Sequence, residues 1–314
     1  MGVLLVLSGV GLLLLPAATR PLGRQLPPDR WARLCVVALM AGAALVELSA
    51  ALYAAPTLFR AAGVPSIAAL CERMLGPLVP GGAYAGWASA SFALTMPILA
   101  VVGIRRARRT QRIVHAEPWL GRHVDWQGYD LVVLPTPQPV AISLHGTTDQ
   151  IIVSEGLLAF LEPDAVDAVL RHEAAHLEKG HHRYLLAATA VDHALAFLPV
   201  VRRSTHVLRT SLERWADEVA AGGVPAERHV LRTALLEVSR AMVAPTAMAA
   251  FSTADTIVER VEALAHEVTP MRRLSRIALY TPGVALGVTA VVALGAWAAD
   301  AQMVLAMAGR CPAA

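Results

Sequence analysis

The stretch EPDAVDAVLRHEAAHLEKG, residues 162–180, reads as a helix with both ends marked. Pro163 suits the first helical position, Asp164 the first turn and Gly180 the C-terminal cap. Within it, His172, Glu173 and His176 form the pattern HExxH. At 3.6 residues per turn the two histidines lie one above the other on a single face, where both imidazoles can bind one metal ion at about 2.0–2.1 Å. Glu173 stands beside them, placed to take a proton from a water that the metal activates, which is the metalloprotease arrangement. Ala165, Val166, Val169 and Leu170 give the helix an apolar side, which argues against a merely solvated polar face.

The rest of the chain is unlike a soluble enzyme. Of 314 residues, 56% are hydrophobic and only 16% are charged, against roughly 25% charged in a typical soluble domain. Three cysteines without CxxC spacing disfavour a cysteine-based zinc site and a disulfide scaffold. The chain shows neither a Gly-rich phosphate loop nor a basic patch interleaved with aromatics, so direct nucleic-acid binding is not expected.

Four apolar stretches approach the roughly 20 residues that a helix needs to cross a bilayer: Val3–Thr19, Leu34–Phe59, a third ending at Ile104, and Ile277–Ala299. A cleaved signal peptide is disfavoured, because Arg20, Arg24, Arg30 and Arg33 follow the first stretch and no positive charge precedes it. The basic cluster Arg105–Arg112 and the trio Arg272, Arg273 and Arg276 then set the orientation by the positive-inside rule. The expectation is a multi-pass cell-membrane protein with both termini outside and residues 105–276 in the cytoplasm. Its organisation would be a three-span region, 1–112, a cytoplasmic α+β zinc-metalloprotease domain, 113–276, and a last helix with a short external tail, 277–314. The fold class is a mainly α membrane protein with that domain inserted between spans 3 and 4. Cys71 and Cys311 would share the oxidising side, where a disulfide between them is one reading and two free or buried thiols the other. Cys35 reads as a small apolar residue of its helix.

In the cytoplasmic segment YDLVVLP, PVAISLHG and QIIVSEG are strand-like runs bounded by proline and glycine. A catalytic zinc site takes three protein ligands and leaves one position open, so HExxH needs a third. His182 stands ten residues after His172, but Lys179 occupies the place where the longer HExxHxxGxxH pattern needs glycine. Asp192 and His193 are polar residues within the apolar run Tyr184–Val200, where polar groups mark a function or a buried partner. Glu213 and Asp217 lie one turn apart in SLERWADEVAA. Glu213 would complete the metal set, while Asp217 would orient a ligand histidine or an arginine. An exposed helix rich in Glu and Arg explains that segment equally well on its own.

HExxH followed some forty residues later by ExxAD in a multi-span protein resembles the BlaR/MecR type of antirepressor membrane metallopeptidase, a gluzincin, and more distantly the HtpX/CAAX-protease group. LPTPQPVAISLHG, residues 151–182 and LERWADEVAA carry the resemblance, over roughly residues 100–240. It implies that His172, His176 and Glu213 hold one Zn2+, that Glu173 is the general base, and that Asp217 is the acid supporting a ligand. The penicillin-binding sensor domain of the beta-lactam receptors is not expected, so a beta-lactam signal is not implied. The resemblance also implies a cytoplasmic protein substrate, a BlaI/MecI-like transcriptional repressor, cut in response to an outside signal. Quality control of misfolded membrane proteins and a catalytically silent membrane sensor or scaffold are the other readings.

Two further expectations concern the catalytic surroundings. PVAISLHG is placed to pair with an extended substrate by strand addition, and His181, Tyr184, His206 and His229 are candidates to stabilise the oxyanion. The run Tyr184–Val200 is too short to cross the membrane and return. Basic residues at both ends keep it as a helix buried in the domain or lying at the membrane surface, which lets Glu213 reach HExxH.

Overall fold

Proline sets where many of the helices begin. In the computed structural model, which describes residues 2–75, 82–116, 121–241, 250–266 and 273–308, five helices open on one. Its fixed φ suits the first turn, and its missing N–H is not needed there. The chain starts with α1 (Gly2–Ala18), the one-turn α2 (Arg20–Gly23), α3 (Pro28–Ala61), α4 (Pro65–Leu75) and α5 (Gly82–Ala116). Four short strands follow: β1 (Arg122–Trp126), β2 (Tyr129–Leu134), β3 (Ala141–Leu144) and β4 (Gln150–Ser154). Helices α6 (Glu155–Phe160), α7 (Pro163–Glu178), α8 (His181–Ala194), α9 (Pro199–Ala221), α10 (Pro225–Ala241), α11 (Ala250–Ala265) and α12 (Arg273–Ala308) complete the chain.

Two helices, Pro28–Ala61 and Tyr84–Thr110, are long and apolar enough to cross a membrane. The other two expected spans are helical, but their apolar stretches, Val3–Ala18 and Tyr280–Gly295, are shorter. These helices pack on one another through small residues. As α1 runs from Gly9 to Leu13, its contacts on α3 run back from Val46 to Gly42, so the pair is antiparallel. A methyl group on Gly42 would meet the Gly9 carbonyl oxygen at 2.7 Å. In the same way Gly11 and Leu15 of α1 meet Leu286 and Gly283 of α12. Cys71 is half-buried on α4, while its expected partner Cys311 lies outside the described residues, as does Arg272.

The sheet has the order β1-β2-β4-β3. β1 and β2 form an antiparallel hairpin turning at Gln127 and Gly128, both with positive φ, as a two-residue hairpin requires. β2 and β4 are parallel, and β3 closes one edge antiparallel to β4. The three expected strands are present; β1, polar and exposed, escaped the alternation test. Ser154 ends β4 by accepting hydrogen bonds from Leu157 N at 3.0 Å and Val140 N at 2.9 Å, which starts α6 and seats the approach to β3. Leu131, Ile151 and Val153 of the sheet pack with Leu157, Leu161, Leu170 and Leu177 in one core, and α7 lies against β3 and β4.

A second core joins the apolar helices to the segment that carries the motif. Leu13 of α1 and Trp31, Cys35 and Leu39 of α3 pack with Val191 of α8 and Leu208, Leu212 and Trp215 of α9. The run Tyr184–Val200 folds as α8 and a turn, after which α9 heads back. His193 of α8 faces Gly103 of α5, and Phe197 in the turn meets Phe92 of α5 edge-on at 6.3 Å. Asp192 ties α8 to α9 through Thr205 and Arg209, at 2.5 and 2.6 Å. Neither Asp192 nor His193 joins the metal-ligand cluster.

Gly42→Ala is expected to cost about 1–3 kcal/mol by overpacking the α1–α3 contact, read as a lower thermal midpoint of the detergent-purified chain. An unchanged midpoint would mean that the two helices do not approach this closely.

Candidate metal centre

Helix α7 places His172 and His176 on the face turned toward α9, and α9 returns Glu213 to the same point. The two Nε2 atoms are 3.2 Å apart, with Glu213 Oε2 3.5 Å from His172 Nε2 and Oε1 3.7 Å from His176 Nε2. Donors held at about 2.0–2.1 Å by one tetrahedral ion stand about 3.3–3.4 Å from each other, so the observed spacings bracket what a zinc-sized ion needs. Among the described residues this is the one cluster of three or more His, Cys, Asp or Glu donors that could hold a metal ion.

Behind the donors each imidazole has a partner. Asp217, one turn after Glu213 and buried, lies 3.0 Å from His172 Nδ1. The guanidinium of Arg260 on α11 donates to both Asp217 oxygens, at 2.8 and 2.7 Å, and its third nitrogen is 3.2 Å from Glu213 Oε2. Asp217 therefore contacts a histidine and an arginine together. His181 Nδ1 lies 2.9 Å from His176 Nδ1, and its fully buried ring packs on Trp215. Gly180, in the left-handed region at φ +63°, ends α7 and lets α8 begin at once, which puts His181 behind His176.

The charges follow from these contacts. Burial and Arg260 push His172 down, but Asp217 and Glu213 outweigh them and hold its imidazolium up to about 9. Burial would raise the two acids, yet His172 and Arg260 hold Glu213 well below the usual carboxylate range and Asp217 down to about 2. Burial, with His176 beside it, pushes His181 down to about 3. A neutral His181 can accept a hydrogen from His176 Nδ1, which leaves the His176 Nε2 lone pair facing the cluster.

A cleft of about 350 Å³ opens over these donors. His172, Glu173, His176, Glu213 and Arg260 line it, beside Ala141, Ile142 and Ser143 of edge strand β3 and an apolar wall that includes Val169, Leu231, Leu235 and Val238. None of the four oxyanion candidates lines this cleft: His181 is behind His176, Tyr184 packs on Trp215, and His229 is exposed on α10. His182 stacks on His145 with ring centroids 3.7 Å apart, away from the donor set. Arg260 is the site residue that sequence reasoning did not name. The signal was indirect: a buried Asp217 needs a cation, and no sequence rule says which of many arginines supplies it.

Two expectations test the centre. Arg260→Lys keeps the charge but cannot form the paired bonds to Asp217, so zinc retention against a chelator should weaken about 10–100-fold. Retention at the wild-type level would remove Arg260 from the support of the site. A proton on His172 competes with the metal for the ring. Because that pKa is raised, zinc affinity should climb with pH, about tenfold per unit through the neutral range, and level off near 9. Zinc titration at a series of pH values checks this, and a plateau already at pH 6.5 would contradict the pairing with Asp217.

No curated protein and no solved structure matches the chain. Comparison with family models matches the model described as peptidase family M48 over residues 107–268, just over half of the chain, from the end of α5 through α11. All of the donors, Glu173, Asp217 and Arg260 fall inside those residues. The chain belongs to peptidase family M48, a family of metallopeptidases.

Proposed function

We propose that this chain is an integral-membrane zinc metalloendopeptidase that hydrolyses peptide bonds of a cytoplasmic protein. The convergence of His172 Nε2, His176 Nε2 and Glu213 at zinc-like spacing, with Glu173 lining the same cleft, carries the proposal. His172, His176 and Glu213 would hold one Zn2+. When bound, zinc would lower the pKa of a water molecule and polarise the scissile carbonyl. Glu173 takes the proton of the attacking water and later delivers it to the leaving nitrogen. Asp217 and Arg260 fix His172 and Glu213, and His181 fixes His176.

Strand β3 is paired on one side by β4, and its residues Ala141–Ser143 border the cleft. An extended substrate segment adds to this edge through main-chain hydrogen bonds, which carry little side-chain specificity. The apolar wall opposite favours a large apolar side chain next to the scissile bond.

The antiparallel packing of α1 with α3 and with α12 supports four membrane helices, and the basic stretch of α5 favours the cytoplasmic side for it and for the β1–α11 segment. This is the division 1–112, 113–276 and 277–314, with both termini outside. The likeness of the motifs to BlaR/MecR antirepressors points to a BlaI/MecI-like transcriptional repressor as the substrate and to a signalling role. An HtpX-like quality-control enzyme would differ in cutting many unfolded chains.

Glu173→Gln in the full chain should keep about one zinc per chain and lose about 10²–10⁴ in kcat. Expressed in cells, it should stabilise one intact cytoplasmic protein that the wild type cuts at a single bond. Unchanged cleavage would refute the base assignment. Stabilisation of many unrelated membrane proteins would replace the repressor with quality control.

A further inference from the structure

The proposed chemistry leaves a part-buried set of ion pairs unexplained, and these pairs meet at the link between α1 and α3. Arg20 Nη2 and Arg24 Nη2 lie 2.5 and 2.9 Å from the same oxygen of Glu259 on α11. The Glu259 side chain is 8% exposed. The carbonyl oxygen of Arg24 also accepts a hydrogen bond from Arg214 Nη2 of α9 at 3.1 Å, and Arg214 is buried as well. One short segment beside the apolar helices thus grips both α11 and α9.

The gripped residues are sequence neighbours of the site. Glu259 precedes Arg260, and Arg214 follows Glu213. Consecutive residues of a helix point about 100° apart, so each helix presents one residue to the metal centre and the next to the Arg20–Arg24 segment. The two residues of a pair cannot be moved independently without unwinding the turn that carries them.

Helix α11 packs on α9 and α10, with Leu264 in a small core. Among its described side chains only Glu259 and Leu264 are buried. Arg228 holds its C-terminal end, through the Ala263 and His266 carbonyls at 3.4 and 3.3 Å. One turn earlier, Glu259 is held by Arg20 and Arg24, and Arg260 by Asp217.

We propose that Glu259 is a positioning residue for the metal centre: paired with Arg20 and Arg24, it seats α11 so that Arg260 holds Asp217, and through it His172, in place. The inference rests on the metallopeptidase reading above and adds a second point. The segment joining two of the apolar helices sets the geometry of the site, so a rearrangement of those helices reaches the metal ligands through two adjacent-residue pairs.

The test uses the full chain in lipid nanodiscs as wild type, Glu259→Gln, Arg20→Gln with Arg24→Gln, and the triple combination. Three quantities are read: zinc loss to a chelator, kcat and KM on a cleaved peptide, and amide hydrogen exchange of α11 in metal-free protein. Glu259→Gln and the double arginine variant should each lose zinc about tenfold faster, lower kcat about tenfold with KM little changed, and exchange faster along α11. The triple variant should be no worse than either, because all three residues act through one contact. Wild-type zinc loss and wild-type α11 exchange in the Glu259 variant would overturn the proposal, as would additive losses in the triple. If Glu259→Gln does not fold, the double arginine variant reads the same coupling from the other side. If wild type takes up no zinc, the metallopeptidase reading fails, and the metal-free exchange of α11 still decides whether Glu259 seats it.

Discussion

The carboxylate of Asp217 is where three helices far apart in sequence are brought into agreement. A charge removed from water is tolerated only where close, well-directed partners replace the water. Asp217 finds them in two N–H groups of Arg260 from α11 and the ring of His172 from α7. Such bonds leave little latitude in the angles between α7, α9 and α11. Glu213 then needs no separate device. It lies one turn before Asp217 on the same face of α9, so fixing Asp217 against α7 also delivers Glu213 to the two histidines.

The opposite side of α9 is as constrained as the side that faces the cluster. Leu208, Leu212 and Trp215 are buried against α3 and α8, so α9 is a wall shared by the apolar helices and the catalytic segment. Trp215 shows how the two sides communicate. Arg33 of α3 sits over its ring at 5.3 Å, and the ring packs on His181, which touches His176. One histidine of the cluster is therefore backed by α11 through Asp217 and Arg260, and the other by α8 and α3. The packing of the apolar helices belongs to the physical support of the centre, and a soluble fragment beginning at β1 would lack it.

What could be read from the chain alone follows the range of the interaction concerned. Helix α7 was legible to the residue because Pro163 and Gly180 act within a turn. Strands β2 and β4 were legible because burial writes itself into runs of Val, Ile and Leu, and the edge strand β3 because proline and glycine bound a short β-type run. Strand β1 was not, since RHVDW is exposed and exists by pairing with β2 across a two-residue turn. Glu213 and Asp217 were visible as a pair at helical spacing, although spacing by itself did not separate them from a solvated face. Arg260 was not visible at all. In TIVERVEAL it looks like the polar side of an amphipathic helix, and the carboxylate that buries it lies 43 residues earlier. His181 was noticed for the wrong task, because whether a residue just after a helix end points into the cleft or behind it depends on the backbone turn at Gly180. The apolar stretches were clear as helices, while their number as membrane crossings rests on how they pack together.

Counting formal charges around the cleft gives the last constraint. Glu173, Glu213 and Asp217 bring three carboxylates, and Arg260 brings one guanidinium, which leaves two negative charges among neutral imidazoles. A proton held on His172 up to about 9 offsets one of them, whereas a divalent cation offsets both and also uses the lone pairs that the geometry points inward. Without Arg260 the excess would be three, and mutual repulsion would raise the acids and blunt their donor strength. The guanidinium thus has two duties that no neutral residue could combine: it directs Asp217, and it trims the charge of the pocket to that of a doubly charged ion. Two imidazoles with one carboxylate, in a pocket of that charge, make a donor set suited to zinc rather than to a hard, all-oxygen cation such as calcium or magnesium.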